Sequence, residues 1–352
     1  AVAAAAAAAD IPAAASATAI VKTSPEYVVA QLVWQDHPRW ELWPYGGPAS
    51  AASQRTGVVT GGTSDLFGAG PNTYGDATAC LLRQHAKRQG HALHVERAMQ
   101  RWGSSRPVAW QKIRLLQERL ADVDLLVWVD ADVAWTSPGT DLSELFFRRL
   151  STIASCTGHL GQTKFAVAGS AAANATSLFL WASADVRPKQ QRNMNLNSAV
   201  FALRSGQVAV QFLAAVWAEG QALLSFTKHN PGWRRQPPGH HYWGWPFEQG
   251  GVWSVLERRE DWLRRTCIVE AGILHSVQYH RWRANGPSLG AHMPGMSSED
   301  RRKAACRHLA ASLSSPGACG QALRSCPDLF VGRLLDVHAD GLCKHCLRSE
   351  AG

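Results

Sequence analysis

Hydrophobic and polar positions change their spacing several times along residues 55–130, and each spacing is typical of one kind of element. Three short apolar runs predict strands: residues 55–60, 91–95 and 125–129. Two segments with apolar residues at helical spacing predict helices: residues 76–89, and the segment that contains Trp110, Ile113, Leu116 and Leu120. Gly90 suits the end of the first helix. The order strand, helix, strand, helix, strand predicts an α/β fold with parallel strands and right-handed connections.

The pattern continues beyond residue 140. We expect further strands at residues 164–169 and 195–204, and further helices at residues 141–150, at residues 207–219 and through Val252 and Leu256. Helix 207–219 carries one apolar stripe, and Gly220 is expected to end it.

Composition divides the chain into four expected regions. Residues 1–27 form an Ala-rich, low-complexity stem or linker, residues 28–54 an irregular extension, residues 55–303 the regular domain, and residues 304–352 a Cys-rich tail. The sequence contains no apolar run long enough to cross a membrane. Because the first residue is Ala rather than Met, we expect that a signal peptide or a membrane anchor has been removed.

The net charge of +9 comes from basic residues that are scattered along the chain. A nucleic-acid-binding protein more often concentrates them on one helix or stripe, so we expect no nucleic-acid partner. The basic surface is either simply solvated or favours an anionic substrate.

Asp130 and Asp132 come directly after the apolar run at residues 125–129. In an open α/β sheet, ligands bind just beyond the carboxyl ends of the strands. Two half-buried carboxylates this close together need a cation or bases to offset their repulsion. A divalent ion such as Mn²⁺ or Mg²⁺ that bridges to a ligand's phosphates meets this need. The alternative is a strand that ends in two solvated turn residues.

Two glycine-containing segments are candidate phosphate contacts. Gly61 and Gly62 follow the first strand, where backbone amides can approach a nucleotide, although the full dinucleotide fingerprint and the phosphate-loop Lys are absent. In the second segment, Gly295 allows close approach to a phosphate. A neutral His292 imidazole there would complete the coordination of a metal held by Asp132. The alternative for His292 is an ordinary core or surface histidine.

Residues 240–249 form an aromatic segment that is rich in Trp. Sugar rings present apolar C–H faces, which suit aromatic walls with a few polar groups. The alternative is that these tryptophans pack the core. His240 and His241, in the same segment, compete with His292 for a metal-ligand role.

Five of the eight cysteines lie from residue 306 onward: Cys306, Cys319, Cys326, Cys343 and Cys346. This crowding predicts disulfides formed in an oxidising compartment. The alternative is that Cys343 and Cys346 form half of a zinc site. Asn174-Ala175-Thr176 is an acceptor sequence for N-glycosylation, which suits a secreted or lumenal protein.

Six blocks occur in order along the chain: Val58-Val59-Thr60, Trp110-Gln-Lys112, Trp128-Val-Asp130-Ala-Asp132, Leu196-Asn197-Ser-Ala-Val-Phe, Phe247-Glu248-Gln249 and His292-Met-Pro-Gly295. In this order they resemble nucleotide-sugar glycosyltransferases of the Rossmann-like type with an acidic D-x-D pair. More narrowly, they resemble the galactosyl/xylosyltransferase family, which includes fungal α-galactosyltransferases, Golgi mannan-polymerase subunits and plant xyloglucan xylosyltransferases. The resemblance covers roughly residues 55–302, so residues 55–303 are the expected catalytic domain.

The resemblance implies a GT-A nucleotide-diphospho-sugar transferase fold, with a mostly parallel central sheet and helices on both faces. It implies that Thr60, Gly61 and nearby backbone hold the uridine of a UDP-sugar, and that Lys112 and Gly295 lie near the donor. Asp130 would contact the donor's ribose or sugar. The implied ligands of Mn²⁺ or Mg²⁺ are Asp130, Asp132 and His292. The residues implied beside the reacting sugar are Asn197, Glu248 and Gln249, with Asp185 as an acidic residue ahead of the Leu-Asn strand.

Three positions depart from the family's pattern. Phe247 stands where plant members carry an acid, and Ala199 stands where a glycine is usual. The family's Lys shortly after the His-x-x-Gly block is missing, and the first basic residue there is Arg301. These departures leave the acceptor and the donor sugar open, but they do not affect the metal ligands.

The resemblance implies a retaining transferase that moves a hexose or pentose, galactose or xylose, from a UDP-sugar to a glycan or polysaccharide acceptor. It places the enzyme in the Golgi or another secretory lumen, anchored through the missing N-terminal segment, alone or in an oligomer or glycosyltransferase complex. No carboxylate nucleophile is evident. We therefore hypothesise a same-face displacement in which UDP's own oxygen helps deprotonate the acceptor and Glu248 or Gln249 supports the cationic sugar.

Two alternatives remain open. In the first, the chain is a transferase of a neighbouring D-x-D family that uses another donor or a protein acceptor. In the second, it is a catalytically silent, lectin-like scaffold subunit of a glycosyltransferase complex. The intact set of three metal ligands favours an enzyme over a scaffold.

Overall fold

The computed structural model describes residues 40–41, 55–67, 74–99, 107–150, 178–185, 195–229, 247–269, 272–277 and 288–294, and the single residues 297, 300, 301, 304 and 308. Several expected features lie outside these residues: the stem at 1–27, the strand at 164–169, the glycosylation acceptor at 174–176, His240, His241, Gly295 and the five cysteines of the tail.

Two sheets organise this part of the chain. Their strands are β1 (Thr56–Gly61), β2 (Ala92–Glu96), β3 (Leu125–Asp130), β4 (Val133–Trp135), β5 (Leu180–Asp185), β6 (Asn195–Arg204), β7 (Thr266–Val269), β8 (His275–Val277) and β9 (Gly290–His292). The larger sheet has the order β2-β1-β3-β6-β5-β7, and only β6 runs antiparallel to its neighbours. The smaller sheet has the order β4-β9-β8. The expected α/β fold with a mostly parallel central sheet is confirmed.

The helices connect and cover these strands. They are α1 (Gly75–Gln89), α2 (Gln111–Arg119), α3 (Leu142–Glu144), α4 (Gln207–His229), α5 (Glu248–Arg258) and α6 (Glu260–Leu263). As expected, α1 ends at Gly90, whose φ of 68° is left-handed and suits glycine. The helix expected at 141–150 is found as α3 followed by a π-helical turn over Leu145–Arg149. Within the described ranges, no helix is both long and apolar enough to span a membrane.

Helices cover both faces of the larger sheet, as the alternation along β3 shows. Val127 and Val129 pack in one core cluster with Ala77 of α1. Trp128 points to the opposite face, because successive side chains of a strand alternate, and its ring lies 5.3 Å from Lys112 Nζ of α2. The two helices therefore lie on opposite faces of β3.

The expected end of the helix at Gly220 is wrong. Helix α4 continues through Gly220 to His229. A Cβ atom on Gly220 would lie 2.6 Å from the ring of Trp110, and one on Gly251 of α5 would lie 2.4 Å from the same ring. Both glycines therefore serve close packing around a buried Trp110.

Candidate metal centre

The turn between β3 and β4 brings the two acidic residues to the carboxyl edge of the larger sheet. Asp130 is the last residue of β3, and Asp132 precedes Val133 of β4. β4 pairs with β9 so that Val133 lies opposite His292, and the Met293 amide donates a hydrogen bond to the Asp132 carbonyl at 3.0 Å. This pairing joins two segments that are far apart in the sequence.

Asp130, Asp132 and His292 offer three ligand atoms that all lie within 4.8 Å of one another. His292 Nε2 is 3.5 Å from Asp132 Oδ1. The Asp130 and Asp132 side chains are 29% and 17% exposed, so solvent reaches the group. Two carboxylates and an imidazole suit a divalent ion such as Mn²⁺. Among the described residues, this is the group of His, Cys, Asp and Glu side chains whose ligand atoms lie close enough together to share one metal ion. Its members are the three ligands expected from the sequence.

Lys112 lies behind this group and is only 3% exposed. Its Nζ donates hydrogen bonds to Glu248 Oε1 at 2.7 Å and to the Ser198 carbonyl at 3.1 Å, and it lies 2.8 Å from Asp130 Oδ1. The same Asp130 oxygen accepts a hydrogen bond from Trp128 Nε1 at 2.5 Å. Because Oδ1 already has two donors, Oδ2 is the Asp130 oxygen best placed to bind a cation.

The pKa values of the two aspartates shift in opposite directions. Burial raises the pKa of Asp130, and the nearby carboxylates add to this effect against the opposing charge of Lys112. Burial also acts on Asp132, but His292 and Arg301 outweigh it and hold its pKa below the ordinary value. Burial disfavours the charged form of Lys112, yet the carboxylates of Asp130 and Glu248 prevail and raise its pKa. Lys112 is therefore a permanent cation at neutral pH.

A bulge in β6 shapes the backbone beside Lys112. Ala182 of β5 pairs with Phe201, whereas the next residue, Ser183, pairs with Asn197. The residues between them on β6 are extra, and Ser198, the first of these, accepts the Lys112 hydrogen bond through its carbonyl. Bulges of this kind redirect side chains and backbone next to active sites.

The bulge is tied to the start of α5. Ser198 Oγ donates to Glu248 Oε1 at 2.8 Å, and the Ser198 amide donates to Gln249 Oε1 at 3.3 Å. Asn197 Oδ1 accepts a hydrogen bond from the Ala199 amide at 2.9 Å. Of the three residues expected beside the reacting sugar, Glu248 and Gln249 are thus joined through Ser198, and Asn197 precedes Ser198 in β6. Their contact with a sugar stays a prediction.

The structure says less about the other residues expected from the sequence, which are Thr60, Gly61, Asp185 and Gly295. In the parallel pair β1–β3, Gly61 aligns with Asp130. A Cβ on Gly61 would lie 2.9 Å from the Glu96 carbonyl, so packing alone explains this glycine. Thr60 is buried, and its Oγ1 has no hydrogen-bond partner among the described residues. Asp185 ends β5, but its side chain and Gly295 lie outside what the structure describes.

Arg301 and Tyr74 complete the group, and the sequence indicated no role for Tyr74. Arg301 Nη1 donates to the Tyr74 hydroxyl at 2.8 Å, and Arg301 Nε donates to the Met293 carbonyl at 2.9 Å. Arg301 Nη2 is 3.7 Å from Asp132 Oδ2. Tyr74 is buried, and burial together with the Asp132 charge raises its pKa. Nothing in the local sequence around Tyr74 predicts this contact, because it joins the start of α1 to a distant turn.

No protein-family model and no curated protein matches the chain. Among solved structures, the chain is similar to the crystal structure of a glycosyltransferase involved in the glycosylation of the major capsid of PBCV-1. The two sequences are 12% identical, the TM-score is 0.46, and the match covers 71% of this chain and 98% of that chain. The α/β class of the fold is evident from the two sheets themselves, whereas the GT-A transferase fold and the galactosyl/xylosyltransferase family remain predictions.

Proposed function

We propose that the protein is a metal-dependent, retaining glycosyltransferase that moves a hexose or pentose from a UDP-sugar to a glycan acceptor. The observation that carries this proposal is the convergence of Asp130, Asp132 and His292 at the carboxyl edge of the sheet, directly beside the buried pair of Lys112 and Glu248. This edge is where open α/β sheets bind their ligands. Galactose or xylose is the sugar implied by the sequence resemblance.

The acidic group would hold Mn²⁺ or Mg²⁺ through Asp130, Asp132 and His292. When bound, such an ion supplies positive charge that stabilises a diphosphate leaving group. The fit rests on the donor set: oxygen and imidazole ligands, within 4.8 Å of one another and open to solvent. Lys112 and Trp128 hold one oxygen of Asp130, which would leave the other free to bind a cation.

Glu248 is 4% exposed, and its Oε1 already accepts hydrogen bonds from Lys112 and Ser198. We therefore give Glu248 a positioning and electrostatic role beneath the reacting sugar, with Gln249 and Asn197 nearer to it. In the same-face displacement, the bond from the sugar to the diphosphate oxygen breaks and the bond to the acceptor oxygen forms on that face. The acceptor's proton passes to the departing diphosphate, which balances the reaction.

A secretory-lumen location is part of this proposal. Cys80 and Cys267 are both disulfide-bonded and fully buried. Disulfides persist in oxidising compartments, which supports the lumen that the cysteine-rich tail predicts.

Calorimetric binding of UDP, with and without Mn²⁺, tests the proposal. We expect binding to the wild type that requires Mn²⁺ and is lost in Asp132→Ala. The matched control is Asp261→Ala, which removes an exposed carboxylate that is ion-paired with Arg259 and should leave UDP binding unchanged. A folded wild type that binds UDP equally well without metal, or does not bind it, would contradict the proposal.

A further inference from the structure

We infer that Thr78 is a positioning residue of the metal centre, whose buried hydroxyl fixes the peptide between Ala131 and Asp132 and so sets how the carboxylates of Asp130 and Asp132 approach one cation. This inference rests on the proposed function and deepens it. It assigns a role to a residue of α1 that itself binds neither the metal nor the nucleotide.

The Thr78 hydroxyl is directed out of its own helix. A helical threonine can bond the carbonyl four residues earlier, which here belongs to Tyr74. That carbonyl accepts the Thr78 amide at 3.2 Å, whereas Thr78 Oγ1 donates to the carbonyl of Ala131 at 2.7 Å. This is the ordinary length of a hydrogen bond between a hydroxyl and an oxygen, and the Thr78 side chain is fully buried. The hydroxyl therefore joins α1 to the turn that carries the metal ligands.

The Ala131 carbonyl lies at the point where the direction of Asp132 is decided. Ala131 and Asp132 form the turn between β3 and β4. Because a peptide unit is planar, a fixed Ala131 carbonyl also fixes the amide of Asp132. The carbonyl of Asp132 accepts the Met293 amide at 3.0 Å. Both peptides that flank the Cα atom of Asp132 are therefore anchored by hydrogen bonds, which determines the direction in which its carboxylate leaves the chain.

Helix α1 is a fixed base for the Thr78 hydroxyl. Ala77, the residue before it, packs in the core cluster that contains Val129 of β3 and Val133 of β4. The helix is thus held against both strands that flank the turn. A metal site requires ligands that are held within about 0.5 Å of their productive positions, and a hydroxyl on a packed helix meets that requirement.

The test measures Mn²⁺ binding by calorimetry in Thr78→Val, which replaces the hydroxyl by a methyl group. We expect binding about 10- to 100-fold weaker than in the wild type, the usual loss when a residue that supports metal ligands is replaced. Thr78→Ser keeps the donor and should restore most of the affinity. The electron paramagnetic resonance spectrum of bound Mn²⁺ reports the symmetry of its ligands, so it should change in Thr78→Val and match the wild type in Thr78→Ser.

Two further variants separate positioning from general loosening. Thr78→Ala also lacks the donor, without a methyl group against the Ala131 carbonyl, and should show the same loss, so the test does not depend on one variant folding. Thr266→Val removes a comparable hydroxyl bond, to the Trp262 carbonyl at 2.9 Å, and should bind Mn²⁺ as the wild type does. Near-wild-type thermal unfolding of the metal-free variants shows that they fold.

The outcomes distinguish this inference from the proposed function. If a folded Thr78→Val or Thr78→Ala binds Mn²⁺ as tightly as the wild type, with the same spectrum, the inference is wrong while the proposed function stands. It is also wrong if Thr266→Val weakens Mn²⁺ binding as much. A wild type that binds Mn²⁺ but no UDP overturns the proposed function alone, and a wild type that binds no Mn²⁺ overturns both.

Discussion

The candidate site has two halves that handle charge differently. In the inner half, defined by Lys112, Asp130 and Glu248 with Ser198 and Trp128, the polar contacts span 2.5 to 3.1 Å apart from one longer contact of Lys112 with Ser198 Oγ at 3.4 Å. In the outer half, defined by Asp132, His292, Arg301 and Tyr74, Asp132 lies 3.5 Å from His292 and 3.7 Å from Arg301. The charged groups of the inner half are therefore within hydrogen-bond distance of their partners, whereas Asp132 lies farther from His292 and Arg301.

This difference follows from burial. A charge removed from water is tolerated only when its partners are close and its hydrogen bonds are made, which is the condition of Lys112. A group that must bind a cation needs ligand atoms that are near one another but not already committed. We therefore expect Lys112, the buried cation of the inner half, to matter most for stability, and the ligand atoms of Asp130, Asp132 and His292 to determine cation binding.

The largest expected effect is on stability, from Lys112→Met. The substitution leaves the Asp130 and Glu248 carboxylates facing each other without their cation, which should cost about 3–5 kcal/mol of the free energy of unfolding. Chemical denaturation measures the loss. Adding Glu248→Gln should recover part of it, because one of the two charges is then gone. Arg114→Met, on the exposed side of the same helix, should change stability by at most about 0.5 kcal/mol. A loss that small in Lys112→Met would erase the distinction between the halves.

The second effect concerns pH and uses the buried pair of His85 and His91, whose ring centroids lie 5.3 Å apart, as a reference for the inner half. Burial lowers the pKa of His85 to about 3 and that of His91 to about 4. Because both folded-state values lie below the ordinary value, their contribution is fully present above about pH 6.5 and is lost as the pH falls towards them.

The expected slope below about pH 6.5 is about 1.4 kcal/mol per pH unit for each imidazole. Denaturation at several pH values measures it, and His91→Phe should roughly halve it. An unchanged slope in His91→Phe would assign the acid sensitivity to other groups. Lys112 should add nothing in this window, because its pKa is raised above the ordinary value of 10.5.

A matched pair of substitutions separates the halves at the metal ligands themselves. Asp130→Asn and Asp132→Asn should each weaken Mn²⁺ binding by at least about 100-fold, because each removes a ligand charge. Asp130→Asn should change the free energy of unfolding less than Asp132→Asn does, because burial and neighbouring carboxylates raise the pKa of Asp130 whereas His292 and Arg301 hold the pKa of Asp132 low. Asp132→Asn should lower it by about 1 kcal/mol. Calorimetry with Mn²⁺ and denaturation of the metal-free variants measure the two quantities. Equal stability losses would contradict this order.

The smallest expected effect is that of one hydroxyl. Ser198→Ala removes a donor to Glu248 and should cost about 1 kcal/mol. Ser254→Ala is its control, because Ser254 Oγ donates to the buried carboxylate of Glu219 at 2.7 Å in the packing between α4 and α5. Both should destabilise similarly, but only Ser198→Ala should weaken UDP binding with Mn²⁺. If both variants bind UDP alike, the bulge in β6 has no part in the site.

The pattern of apolar residues predicted the elements whose formation depends on neighbours in the sequence. The apolar run ending at Asp130, the helix that Gly90 terminates and the strand at residues 195–204 are all found. Strands β4, β5, β7, β8 and β9 were not predicted. Three of them, β4, β8 and β9, have only three residues each, which is too short for a repeating pattern, and they are defined by their pairing. The predicted end of the helix at Gly220 was wrong because this glycine serves its packing against Trp110, which is distant in sequence and close in space.

By itself the sequence determined the α/β class and the set of candidate ligands, because strand and helix periods and an i, i+2 acidic pair are properties of short segments. Only the tertiary structure decided which charges are committed to each other. Lys112 lies between Asp130 and Glu248 through the meeting of α2, β3 and α5, and Arg301 faces Asp132 because Tyr74 and Met293 hold it there. Such partnerships depend on the distances between packed elements, which spacing along the chain does not specify.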